Sequence, residues 1–130
     1  MTLHPCGACP YRRDVPSGVW MAEEYEKLPP FDAPTYEQPP AAFFCHQRTG
    51  SLCAGWVGCH DMDHSLGLRM AAATGAITME EYEEALDYVC PIPLFESGTA
   101  VRDHGVAKVE EPGDDARRIV AKLSRKLEGR

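Results

Sequence analysis

Cys6-Gly7-Ala8-Cys9-Pro10 sets two thiols on one turn, and Phe43-Phe44-Cys45-His46, Cys53 and Cys59-His60 bring further thiols and imidazoles much later in the chain. A C-x-x-C turn points its sulfurs at one spot, with Pro5 and Pro10 restricting the backbone on either side. A structural zinc ion takes four ligands in a tetrahedron, with thiolates about 2.3 Å away. Cys6 and Cys9 form the tight first pair. Cys45 and Cys53 are the looser second pair, whose C-x7-C spacing requires a hairpin, and Thr49-Gly50 supplies a turn between them. The expected ligands are therefore Cys6, Cys9, Cys45 and Cys53. His46 is the alternate for Cys45, and Cys59 or His60 for Cys53.

The same four thiolates would serve a [4Fe-4S] cluster, and Cys9-Pro10 is a dipeptide found in ferredoxin runs. Zn2+ leads because it tolerates irregular spacing and imidazole ligands. A thioredoxin-type dithiol follows a buried strand, but only five residues precede Cys6 and none forms an apolar run. Cys90 reads as a small buried hydrophobe, and Cys59 is divided between that role and a ligand. His4, His64 and His104 read as solvated or capping residues. Arg12 and Arg13 have a phosphate or an acidic partner as their functional reading. An ion pair with Asp14 or the acidic body is the simpler one. Trp56 is expected in the core.

A chain of 130 residues has room for one core and an appended segment. Eleven prolines and eleven glycines make it loop-rich, so a metal or cross-link would help a small core hold one shape. No apolar run approaches the length of a membrane span. Met1-Thr2-Leu3-His4-Pro5 lacks the features of a signal peptide, so a cytoplasmic location is expected. Thiols stay reduced there, and six cysteines are then better explained by metal or redox chemistry than by disulfides, although the even count permits them. The net charge of −7 opposes loose attachment to nucleic acid. It is unevenly spread. From Pro112 onward six basic residues face three acidic ones, a balance of +3, which leaves −10 for the body. Nucleic acid is thus a partner only through the basic C-terminal helix.

Taken in order, Ser17 to Leu28 reads as a short helix with Trp20, Tyr25 and Leu28 on one face, ended by Pro29-Pro30. Residues 29–40 read as an extended connector. Residues 41–44 read as a strand or extended arm delivering Cys45, and 52–57 can pair back as a hairpin, with Gly55 and Gly58 permitting close approach. Asp61 or Asp63 caps a helix through Thr74 with Leu66, Met70 and Ala73 inward and Gly75 after its end. Thr78 and Glu81 form a capping box for a helix to Cys90, with Met79, Tyr82, Leu86 and Val89 on one face. Residues 96–113 read as a linker. The last helix carries Ile119, Val120, Leu123 and Leu127 as its stripe.

The runs Cys6-Gly-Ala-Cys9-Pro10-Tyr11-Arg12, Phe44-Cys45-His46, Cys53-Ala54-Gly55-Trp56 and Leu68-Arg69-Met70-Ala71 resemble a group of small bacterial and phage proteins. That group is classed as a domain of unknown function, with the motifs C-x-x-C-P-[WY]-R, F-x-C-H and C-x-G-[FW]. The resemblance spans about residues 5–90, and Tyr11 stands where tryptophan is common. It implies that Cys6, Cys9, Cys45 and Cys53 belong together with His46 beside them, and it implies no activity. Cys59-His60 and the basic tail look peculiar to this chain.

The expected architecture is a small, mainly helical α+β domain with a short central hairpin. Residues 1–95 form the cysteine-rich, metal-stabilised domain, 96–113 the linker and 114–130 the basic amphipathic helix. The expected function is a small zinc-binding module, a macromolecular interaction or regulatory protein, with an iron–sulfur or thiol-based redox protein as the alternative. G-x-S-x-G, P-loop and H-E-x-x-H motifs are absent, so hydrolase or phosphate-transfer chemistry has no sequence support.

Overall fold

Six helices form in the computed structural model, which describes residues 4–45, 47–48 and 50–128, without the side chains of 126–128. They are α1 (Ala22–Glu26), α2 (Ala54–Cys59), α3 (Leu66–Thr74), α4 (Met79–Asp87), α5 (Gly98–Val106) and α6 (Asp114–Glu128). Single 3-10 turns occupy Pro29–Asp32, Thr35–Glu37 and Met62–His64. Among the described residues there is no sheet, only the isolated antiparallel bridges Arg12↔Leu94 and Phe44↔Leu52. The fold is mainly helical, and no helix among the described residues is long and apolar enough to cross a membrane.

Local side-chain chemistry sets the helix ends. Thr78 and Glu81 make the expected capping box at the start of α4. Ser65 accepts from the Leu68 N–H and opens α3, so the helix expected from Asp61 or Asp63 is split into a 3-10 turn and a shorter α-helix. Gly75, at φ +81°, ends α3 in the left-handed conformation that glycine adopts without strain. The helix expected over 17–28 shrinks to α1. Gly18 also has a positive φ, and a Cβ there would stand 2.6 Å from the Lys108 carbonyl oxygen, so the chain turns before α1 begins.

Helix faces differ from the sequence reading where backbones come close. α3 buries Gly67, Leu68 and Ala71 rather than Leu66, Met70 and Ala73. A Cβ on Gly67 would lie 2.5 Å from the Ala41 carbonyl oxygen, so that face is pressed onto the incoming 41–44 segment. α4 turns Tyr82, Ala85 and Leu86 inward and leaves Met79 and Val89 exposed at 60% and 85%. It ends at Asp87, short of Cys90. The 29–40 connector is not extended, because it coils into two 3-10 turns, the first of which buries Phe31.

The expected hairpin reduces to one bridge. Cys45 N–H donates to Ser51 O at 2.7 Å and Cys53 N–H to Phe43 O at 3.0 Å, after which the chain coils into α2 instead of continuing as a strand. Gly50 makes its part of the turn at φ +79°, while Thr49 lies outside the described residues. The expected linker 96–113 contains α5, whose Val101 is fully buried. Gly98 and Gly105 sit seven residues apart on one face. A Cβ would meet the Leu28 carbonyl oxygen at the first and the Tyr25 ring at the second, each at 2.2 Å. α5 therefore lies hard against α1 and the Pro29–Asp32 turn, and its glycines are packing residues. α6 is docked too. Ala116, Ile119 and Leu123 pack with Ala8, Val15 and Val19, Val120 stays outward, and the Leu127 side chain lies outside the described ones.

Candidate metal centre

The turn at Cys6–Cys9 closes with Cys9 N–H donating to Cys6 O at 3.0 Å, and Arg12 N–H to Cys9 O at 3.1 Å. The backbone N–H groups of Tyr11, Gly55 and Arg12 favour charge on Cys9, that of Ala8 favours it on Cys6, and that of Trp56 on Cys53. Such amides stabilise negative sulfur, as metal thiolates require. α2 can deliver its amide because residue 55 is glycine. A Cβ there would stand 2.5 Å from Cys9 Sγ and 2.7 Å from Tyr11 Cβ.

Across 44 residues of sequence, Cys9 Sγ and Cys53 Sγ lie 3.7 Å apart in the buried interior. Cys6 lies within electrostatic reach of both Cys45 and Cys9. Of the four expected ligands, Cys9 and Cys53 are in direct contact. Two thiolates on one tetrahedral ion stand about 3.8 Å apart, from a metal–sulfur length of about 2.3 Å. The Cys9–Cys53 separation fits that edge. Among the described residues no group of three or more His, Cys, Asp or Glu side chains stands arranged to hold an ion.

The electrostatics are asymmetric. The hydrogen bond with Cys53 lowers Cys9 against the opposing effect of burial, and the backbone amides add to the lowering. The same bond and burial raise Cys53 well above the ordinary thiol range. Burial, with Cys45 and Cys9 nearby, pushes Cys6 up to about 12. Cys9 is the sulfur most prepared to carry charge.

The alternates lie elsewhere or are engaged. His60 Nε2 shares a 3.0 Å hydrogen bond with the Tyr11 hydroxyl, and its Nδ1 lies 3.6 Å from Asp32 Oδ1. Burial lowers the His60 pKa, so the ring is neutral with both nitrogens facing partners. Cys59, half-buried and pushed up to about 12 chiefly by burial, borders a cavity of about 430 Å³ with Asp32, Trp56, His60, His64 and Glu96. His46 lies outside the described residues. Cys90 is half-buried beyond the end of α4, beside Gly58 and bonded to Tyr88, rather than a helix residue of the core.

The other expectations divide. Arg12 forms the ion pair with Asp14, at 2.6 and 2.7 Å. Arg13 instead donates to Leu94 O and lies over the Phe95 ring. His64 is exposed and paired with Asp61, whereas His104 is partly buried and bonded to Val15 O. Trp56 is in the core, 1% exposed. The Tyr11–His60–Asp32 chain was not foreseen. Asp32 sits in a proline-rich stretch that carries no motif, and its carboxylate also caps α5 by accepting from Gly98 N and Thr99 N.

The chain belongs to a family of unknown function, DUF6283, whose model matches residues 1–126. The match runs past the stretch carried by the cysteine motifs and takes in most of α6. No curated protein and no solved structure matches the chain.

Proposed function

We propose that this member of the family is a small zinc-binding module, in which Cys6, Cys9, Cys45 and Cys53 hold one ion that ties the N-terminal turn to the segment 43–53. The observation that carries this reading is the 3.7 Å Cys9–Cys53 contact between segments with few other regular ties. Backbone amides that favour charge on three of the four sulfurs support it further. The ion's contribution is electrostatic and geometric: it holds four thiolates that would otherwise repel. The chain's own residues supply the amides, the glycine at 55 that admits α2, and the apolar cover of Tyr11, Trp56 and Leu52.

The [4Fe-4S] alternative is less well supported. Each thiolate of such a cluster holds a different iron, which spaces the sulfurs wider than two on a single ion. A thiol redox function remains the second reading, favoured by the same thiol contact. Zinc content of protein purified without oxygen separates them. About one zinc per chain and a colourless solution are expected; a visible absorption band with iron, or metal-free protein, overturns the zinc reading. Cys9→Ser should lower the melting temperature by about 10 °C or more, in line with loss of several kcal/mol of metal-linked stability.

As an interaction or regulatory protein it presents α6. The helix buries Ala116 and leaves Arg117, Lys122 and Arg125 exposed. Replacing these three by Gln tests an acidic partner or nucleic acid without removing the packed stripe. Unchanged salt-dependent DNA retention retires nucleic acid as that partner.

A further inference from the structure

The cavity of about 430 Å³ that Cys59 borders is lined by none of Cys6, Cys9, Cys45 and Cys53. Its volume is that of a small-molecule pocket. One side of it is aromatic. Phe31, Trp56 and His60 pack against one another, with ring centroids 5.5 Å apart for Phe31–Trp56, 5.9 Å for Phe31–His60 and 6.4 Å for Trp56–His60. The His60 ring is neutral, since burial lowers its pKa, and it is anchored by its bond with the Tyr11 hydroxyl. The lining also carries the carboxylates of Asp32, Asp61 and Glu96, and neither lysine nor arginine. Asp61 is paired with His64, while Asp32 is held in place by the N–H groups of Gly98 and Thr99 at the start of α5.

Trp56 gives an independent sign of an occupant. It borders this cavity at 1% exposure, and its indole Nε1–H is a buried side-chain donor that meets no hydrogen-bond partner among the described residues. An unmet buried N–H is costly, so an acceptor brought by a bound molecule relieves it. The chemistry of the wall selects that molecule. Carboxylates without basic partners repel anions, and aromatic faces attract organic cations through the ring quadrupole, tryptophan most strongly. A bare metal ion is disfavoured, because among the described residues no three His, Cys, Asp or Glu side chains stand arranged to hold one.

We propose that this cavity binds a small organic ammonium ion that also carries an oxygen acceptor: the charge lies beside Asp32 against the Phe31–Trp56–His60 wall, and the oxygen takes the Trp56 indole N–H. The site uses none of the four thiols, so it stands or falls separately from the zinc reading.

The test uses the isotope-labelled full chain, two-dimensional NMR of its N–H groups, and three probes titrated at constant ionic strength. Choline carries both the cation and the oxygen, tetramethylammonium lacks the oxygen, and dimethylbutanol replaces the ammonium nitrogen of choline by carbon. Choline should move the Trp56 indole resonance and the Gly98 and Thr99 amides along one saturable curve. Dimethylbutanol should bind about tenfold or more weakly. Tetramethylammonium should move Gly98 and Thr99 but leave the Trp56 indole nearly in place. The Trp20 indole N–H, already bonded to Ala8 O, is the internal control and should stay still. Asp32→Asn keeps an acceptor for the α5 amides and should weaken choline about threefold or more, with dimethylbutanol unchanged. Glu96→Gln leaves that cap intact and gives the same comparison if Asp32→Asn does not fold. No saturable shift by about 50 mM choline overturns the proposal. So does dimethylbutanol or acetate binding as tightly as choline, or a set of shifts centred away from the cavity.

Discussion

At the scale of single residues, the thiol spacing carried most of the information about the centre, and the residue that lets the thiols meet was visible only as a glycine near them. Cys6 and Cys9 share one closed turn, which needs no long-range knowledge. Cys53 reaches Cys9 because residue 55 has no side chain, and the 2.5 Å clearance makes that a strict requirement. Gly55→Ala should therefore destabilise the protein by about 1–3 kcal/mol through forced displacement of Cys9 or Tyr11. It should also weaken zinc retention against a chelator, whereas Gly7→Ala, with open space at that position, should do much less. Equal chelator sensitivity in the two variants would contradict this account of residue 55. Asp32 is the opposite case. Its partners His60, Gly98 and Thr99 come from far along the chain, so nothing near it in sequence announces its role.

At the scale of elements, helices were legible where their ends carry a local signal. The α4 capping box needs only Thr78 and Glu81. Thr78→Ala should cost about 1 kcal/mol in a denaturant titration near neutral pH. The Thr78 backbone N–H, ahead of the hydroxyl, holds the Glu81 carboxyl below its ordinary range. A carboxyl lowered on folding contributes stability above its unfolded pKa and loses it as pH falls through the folded value. The Thr78→Ala deficit should accordingly shrink on acidification below the usual glutamate range; a deficit that grows there would refute the capping contribution. α5 was illegible for a physical reason. Its glycines look like breakers, yet Gly98 and Gly105 are the surfaces on which Leu28 and Tyr25 rest. Intrinsic propensity favours Ala over Gly in a helix by about 1 kcal/mol, so a linker-like or isolated α5 would be stabilised by Gly105→Ala. Close packing reverses the sign. A Cβ 2.2 Å from the Tyr25 ring should lower stability by about 2 kcal/mol or more, read as the midpoint of urea unfolding.

At the scale of the whole molecule, the N-terminal turn, two isolated β-bridges and six modest helices assemble around buried Tyr11, Leu52, Trp56, Leu68 and Val101. The acidic body and the basic last helix were evident from charge alone. That α6 docks over Ala8 was not, because an amphipathic stripe does not state what covers it. A chain so poor in sheet and so rich in loops gains most from a tie between distant segments, and the thiols of residues 9 and 53 provide the place for one. X-ray absorption at the zinc edge, on protein purified without oxygen or added metal, tests that tie most directly. The account predicts about one zinc per chain with four sulfur neighbours at about 2.3 Å. Protein free of zinc, or zinc surrounded mainly by nitrogen and oxygen, would contradict it.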